Sequence, residues 1–85
     1  MKFLHYEVNL NTANAVRVTL DRQANVRLLD SNNFQKYRNG QSHNYYGGLA
    51  THSPMLLRAP RSGHWHVVVD LGGYAGSVSA SVDVV

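Results

Sequence analysis

A chain of 85 residues without cysteine has room for one hydrophobic core, taken as a single domain over 1–85. It excludes a disulfide-stapled scaffold and a cysteine-based zinc knuckle. Eight Lys and Arg against five Asp and Glu give a formal charge of +3, and the arginines are scattered, which means weak attraction to polyanions and no basic stripe. The opening MKFLHYEVNLN alternates polar with apolar, so neither a signal peptide (about 7–15 consecutive apolar residues) nor a spanning helix (about 20) is predicted, and a cytoplasmic location is expected.

From the N-terminus the pattern has period two. Leu4, Tyr6, Val8 and Leu10 share one face of a first strand, with Phe3, His5, Glu7 and Asn9 on the other. Val16, Val18 and Leu20 point inward from a second strand, and Ala24, Val26 and Leu28 from a third that ends at Asp30. These are half-buried antiparallel strands. The period then changes. In SNNFQKYRNG (31–40), Phe34 and Tyr37 lie three apart, Asp30 or Ser31 suits an N-cap, and Asn39-Gly40 a left-handed stop. One or two helical turns are predicted near 31–39, with the two rings plugging one end of the fold.

Tyr45 and Tyr46 precede a bend at Gly47-Gly48, and Pro54 and Pro60 bracket a short edge strand. After a turn at Arg61-Ser62-Gly63 comes the strongest strand. It buries Trp65, Val67, Val69 and Leu71 and turns His64, His66, Val68 and Asp70 the other way. Gly72, Gly73 and Gly76 form a loose turn. The last strand alternates Val78, Ala80, Val82 and Val84 against Ser77, Ser79, Ser81 and Asp83. The predicted fold is all-β, an antiparallel, jelly-roll-like β-sandwich of about 6–8 strands with one short helical turn; a small open barrel is the runner-up.

The sharpest local chemistry is His64-Trp65-His66. Residues i and i+2 share a strand face, so both imidazoles project together as metal ligands can, with His5 or Glu7 as a third. The competing reading is a cross-strand charge pair. If the last two strands form a hairpin with Val69 opposite Ala80, His66 faces Asp83; slipped by two, His64 does. The arginines leave a similar choice, since one register of the second and third strands sets Arg17 against Arg27 and another removes the clash.

Nucleophilic catalysis lacks its parts. There is no cysteine and no G-x-S-x-G, and G-G-Y-A-G has a phosphate loop's glycines without its lysine or helix. No cofactor is expected. Tyr37, Tyr45, Tyr46 and Tyr74 would be stacking platforms for a single strand of nucleic acid if exposed, but without a basic stripe such binding is not favoured.

Three stretches, MKFLHYEVNLN at 1–11, NVRLLDSNNFQKYRNG at 25–40 and GHWHVVVDLGG at 63–73, together resemble a family of small bacterial proteins known only as a domain of unknown function. The resemblance implies a sandwich-like all-β fold, found alone or joined to TIR (Toll/interleukin-1 receptor-like) domains. It implies no activity, cofactor or catalytic residue. A looser likeness to jelly-roll accessory modules concerns fold alone.

The expected function is a non-enzymatic recognition module of a bacterial cytoplasmic protein, binding a protein or small ligand, with a TIR-type effector as one partner. Its candidate surface is the outer face carrying His5, Glu7, His64, His66, Asp70 and Asp83. The alternatives are a metal-dependent enzyme built on His64 and His66 and a weak binder of single-stranded nucleic acid.

Overall fold

The computed structural model describes residues 2–85. Among them seven strands and one helix follow in the order β1 (Phe3–Leu10), β2 (Val16–Leu20), β3 (Ala24–Asp30), α1 (Ser31–Arg38), β4 (Tyr46–Ala50), β5 (Met55–Leu57), β6 (Gly63–Asp70) and β7 (Ala80–Val84). They form a four-stranded sheet, β1-β6-β3-β4, and a three-stranded sheet, β5-β2-β7. Every pairing is antiparallel. No helix among the described residues is long and apolar enough to cross a membrane.

The alternation predicted for each strand sets its inner face. Val16 and Val18 from one sheet meet Val26, Leu28, Trp65, Val67 and Val69 from the other, all buried. Each such aliphatic side chain taken fully from water contributes about 1.5–3 kcal/mol. Leu4, Tyr6, Val8, Val78, Ala80 and Val82 close the margins of this core. The Tyr6 hydroxyl donates to the Ala80 carbonyl at 3.1 Å, tying β1 to β7 across the sheets.

Pairing departs from expectation in an informative way. The last two strands do not form a hairpin. β6 lies between β1 and β3, with Val69 opposite Leu4 and Val26, whereas β7 pairs with β2 in the other sheet. Arg17 and Arg27 never meet, because β2 and β3 lie in different sheets. Arg17 stands opposite Asp83. The Gly47-Gly48 bend is instead the middle of β4. Gly47 has φ +120°, and a Cβ there would run into the Val26 carbonyl oxygen, so only glycine lets this edge strand lie against β3. The proline-bracketed strand is at a sheet edge, as predicted.

The helix is where predicted but does not plug an end. It lies on the outer face of the four-stranded sheet, where Phe34 and Tyr37 pack with Leu29, Val68 and Phe3 into a second, smaller core. β6 is therefore covered on both faces from Trp65 to Asp70. The Asp30 carboxylate caps the helix, accepting from the Asn33 amide at 2.8 Å, and Gly40, with φ +72°, ends it. Asp30→Ala is expected to cost about 0.5–2 kcal/mol through the lost cap. The Arg61 contact, 2.9 Å between half-exposed groups, adds little. The check is a lower urea midpoint with an unchanged slope.

Candidate functional site

The β1–β6 register builds the site. Glu7 lies opposite His66, Asn9 opposite His64 and His5 opposite Val68. Odd residues of β1 and even residues of β6 thus share the outer face of the sheet. Helix α1 covers one end of that face and stops short of the other. Glu7, Asn9 and His64 stay exposed, and His66 is buried.

His66 is held on three sides. The Phe34 ring lies parallel to it at 4.5 Å. Its Nε2 is 2.9 Å from Ser31 Oγ and its Nδ1 is 2.8 Å from His5 Nε2. A neutral imidazole has one N–H and one lone pair, and a hydroxyl can serve either. Burial, reinforced by the neighbouring His5 and His64 rings, lowers the His66 pKa and favours that neutral form. His5 remains exposed at its edge while stacking on Phe34 at 4.1 Å.

His64 is set differently. Its Nε2 is 2.9 Å from Glu7 Oε1 and its Nδ1 is 3.0 Å from Asn9 Oδ1. The hydrogen bond from His64 holds the Glu7 carboxyl below its ordinary value. Glu7, His64 and His66 each offer a ligand atom, all within 4.8 Å of one another. Of the two third ligands named from the sequence, Glu7 is the one placed within this group.

The other two predicted residues lie elsewhere. Asp83 is in the opposite sheet, 3.5 Å from Arg17, because its strand pairs with β2. Asp70 is on the predicted face but sealed beneath α1, with 1% exposure. Its carboxylate accepts from the Tyr37 hydroxyl at 2.8 Å, the Asn25 amide at 3.0 Å and the Gly72 backbone N–H at 2.8 Å, and it pairs with Arg27. Burial pushes the Asp70 pKa up, but these donors and the guanidinium outweigh it and hold the group below its ordinary value. The same burial, with the adjacent carboxylate, pushes the Tyr37 phenol up. Arg27 is flanked by the rings of Tyr37 and Tyr45 at 5.5 and 5.1 Å. This network fastens the helix to the sheet.

Sequence reasoning missed Asn9 and Ser31. Asn9 was visible as the next outward residue of β1, whereas Ser31 enters only once the helix is known to fold back over β6. An apolar cleft of about 580 Å³ opens beside Phe3, Leu4, Leu71, Tyr74 and Val78, and Asp70 is the one predicted site residue on its wall. For nucleic acid, Tyr37 is buried, and Arg17, Arg27 and Arg61 are each paired with a carboxylate. A family defined as a domain of unknown function (DUF1883) matches residues 1–85. No curated protein and no solved structure matches the chain.

Proposed function

This chain belongs to the DUF1883 family, whose description carries no activity, and we propose that it is a non-catalytic recognition module of a bacterial cytoplasmic protein. Its working surface is the open end of the β1–β6 face, and its partner a TIR-type effector domain. One observation carries the reading: Glu7 and His64 stand exposed and paired beside His5 and Asn9. They project from a strand pair whose other face is the main core. Polar groups fixed on a rigid scaffold lose little entropy on binding, which favours recognition. The TIR partner rests on the fusions implied by the family resemblance.

The test is a calorimetric titration of the domain with a purified TIR domain taken from a chain that carries both. A saturable complex is expected, weakened about tenfold or more by Glu7→Ala/His64→Ala, with thermal unfolding unchanged. Loss of that much corresponds to about 1.4 kcal/mol, within reach of one charge-assisted contact. No complex, or a complex indifferent to the double variant, overturns the proposal.

A further inference from the structure

We propose that Glu7, His64 and His66 form a binding site for one divalent first-row transition-metal ion of the zinc, nickel or copper type. The inference names a ligand for the face proposed above as the working surface, and rests on that reading.

Two imidazoles and one carboxylate form a recurrent donor set for these ions, with water completing the coordination. Here the three donors come from adjacent strands of one sheet, so the backbone fixes their spacing. His64 and His66 share a face two residues apart, and Glu7 lies directly across from His66. Their ligand atoms lie within 4.8 Å of one another. Metal–nitrogen and metal–oxygen bonds of about 2.0–2.2 Å can bridge the 2.9 Å between His64 Nε2 and Glu7 Oε1 with slight opening of the pair.

The surroundings of His64 point the same way. Both of its ring nitrogens face oxygen atoms, Asn9 Oδ1 and Glu7 Oε1. His64 donates Nε2–H to Glu7 in one neutral tautomer; in the other, with Nδ1–H donated to Asn9, Nε2 turns a lone pair toward the carboxylate oxygen. Two electron-rich atoms that close need a proton or a cation between them. An oxygen that accepts from the non-ligating nitrogen is also the usual outer support of a metal-bound histidine, and Asn9 supplies it. His66, in turn, is held in one orientation by Phe34, Ser31 and His5. To bind the ion, one of its ring nitrogens exchanges its contact with His5 or Ser31 for the metal.

The experiment is isothermal titration of the whole domain with zinc chloride and with nickel chloride at neutral pH. It compares wild type, His64→Ala, Glu7→Gln, Asn9→Ala and the control His43→Ala/His52→Ala, whose two histidines lie outside the cluster. One ion per chain is expected. His64→Ala and Glu7→Gln should each weaken it at least tenfold, Asn9→Ala by about 10-fold as an outer-shell change, and the control not at all. Glu7, Asn9, His52 and His64 are exposed and His43 is half-buried against Tyr37 and Tyr45, and a thermal melt of each variant in EDTA confirms an intact fold.

No heat with wild type, or loss of binding in the control alone, overturns the metal site. If Glu7→Ala/His64→Ala still abolishes TIR binding in EDTA, the recognition surface stands without a metal. If the ion binds as expected and no TIR complex forms, the metal site stands and the partner falls.

Discussion

Asp70→Ala is expected to destabilise the domain by about 3–5 kcal/mol, the cost of leaving a buried charge without its partner. The removed carboxylate is 1% exposed, and the guanidinium left behind, on Arg27, has a side chain only 18% exposed. Tyr37, Asn25 and Gly72 lose an acceptor in the same step. Against a total of about 5–15 kcal/mol for a typical domain, that is a large share, and urea unfolding followed by circular dichroism would measure it. The double variant Arg27→Met/Asp70→Leu separates causes. A buried ion pair replaced by apolar groups of similar volume is often near neutral, so the double variant should recover the part of the loss due to the stranded guanidinium, while the donors of Tyr37, Asn25 and Gly72 stay without their acceptor. If it is as unstable as Asp70→Ala, the cost lies in helix docking rather than in the stranded charge.

The same carboxylate sets an acid limit. Its folded pKa lies below the ordinary 3.8, so its contribution is complete above that value and fades as pH falls through the lower folded one. Asp30, also held low, first by the Asn33 amide, has the same sign. Urea midpoints should therefore fall below about pH 4, and the fall should be shallower in the Arg27→Met/Asp70→Leu variant. A midpoint that rises with acid would contradict the assignment.

Trp65→Ala is expected to cost about 3–5 kcal/mol, as large-to-small changes at a core aromatic do. The indole is 2% exposed and sits in the main core. Its Nε1 donates to the Arg61 carbonyl at 3.1 Å, the Arg61 guanidinium lies 4.9 Å from its ring, and Tyr46 meets it edge-on at 6.1 Å. Trp65→Phe keeps an aromatic ring in that space and should lose less. As the chain's one tryptophan, Trp65 also reports on itself: its native emission should be blue-shifted and shift red on unfolding. A loss below 1 kcal/mol for the alanine variant would mean that the surrounding side chains collapse into the space.

Strand faces were legible in the sequence and strand neighbours were not. Alternation places Trp65, Val67 and Val69 in the core because side chains on a strand have period two. It is silent on which strand lies alongside. His66 faces Asp83 only in a hairpin of the last two strands, and β1 and β3 take both edges of β6 instead. A signal for the covered outer face did exist. Leu29, Val68 and Phe3 are apolar on faces otherwise polar, and Phe34 and Tyr37 needed somewhere to dock. Joined, these five residues are the second core. β4 was missed because paired glycines argue against a strand, and the reason they occur in one, the approach of the Val26 carbonyl, is a tertiary fact. At the site, period two places His5, Glu7, His64 and His66 on one face, and the β1–β6 register sets them side by side.

The wiring of the two sheets governs how the domain must assemble. Among the described residues, β3 and β4 are the one pair of successive strands that lie side by side, and a helix separates even these. His5 finds His66 across 61 positions, and Arg17 finds Asp83 across 66. No short hairpin is available as a seed, so chain closure must precede most of the reward, and folding belongs with the slow millisecond-to-second class of non-local β proteins. Until residues 63–70 arrive, β1 has no partner strand and β3 has β4 on one edge only, so a nascent or truncated chain exposes one unpaired strand and one open strand edge. The interval before β6 docks is when this protein is most open to aggregation.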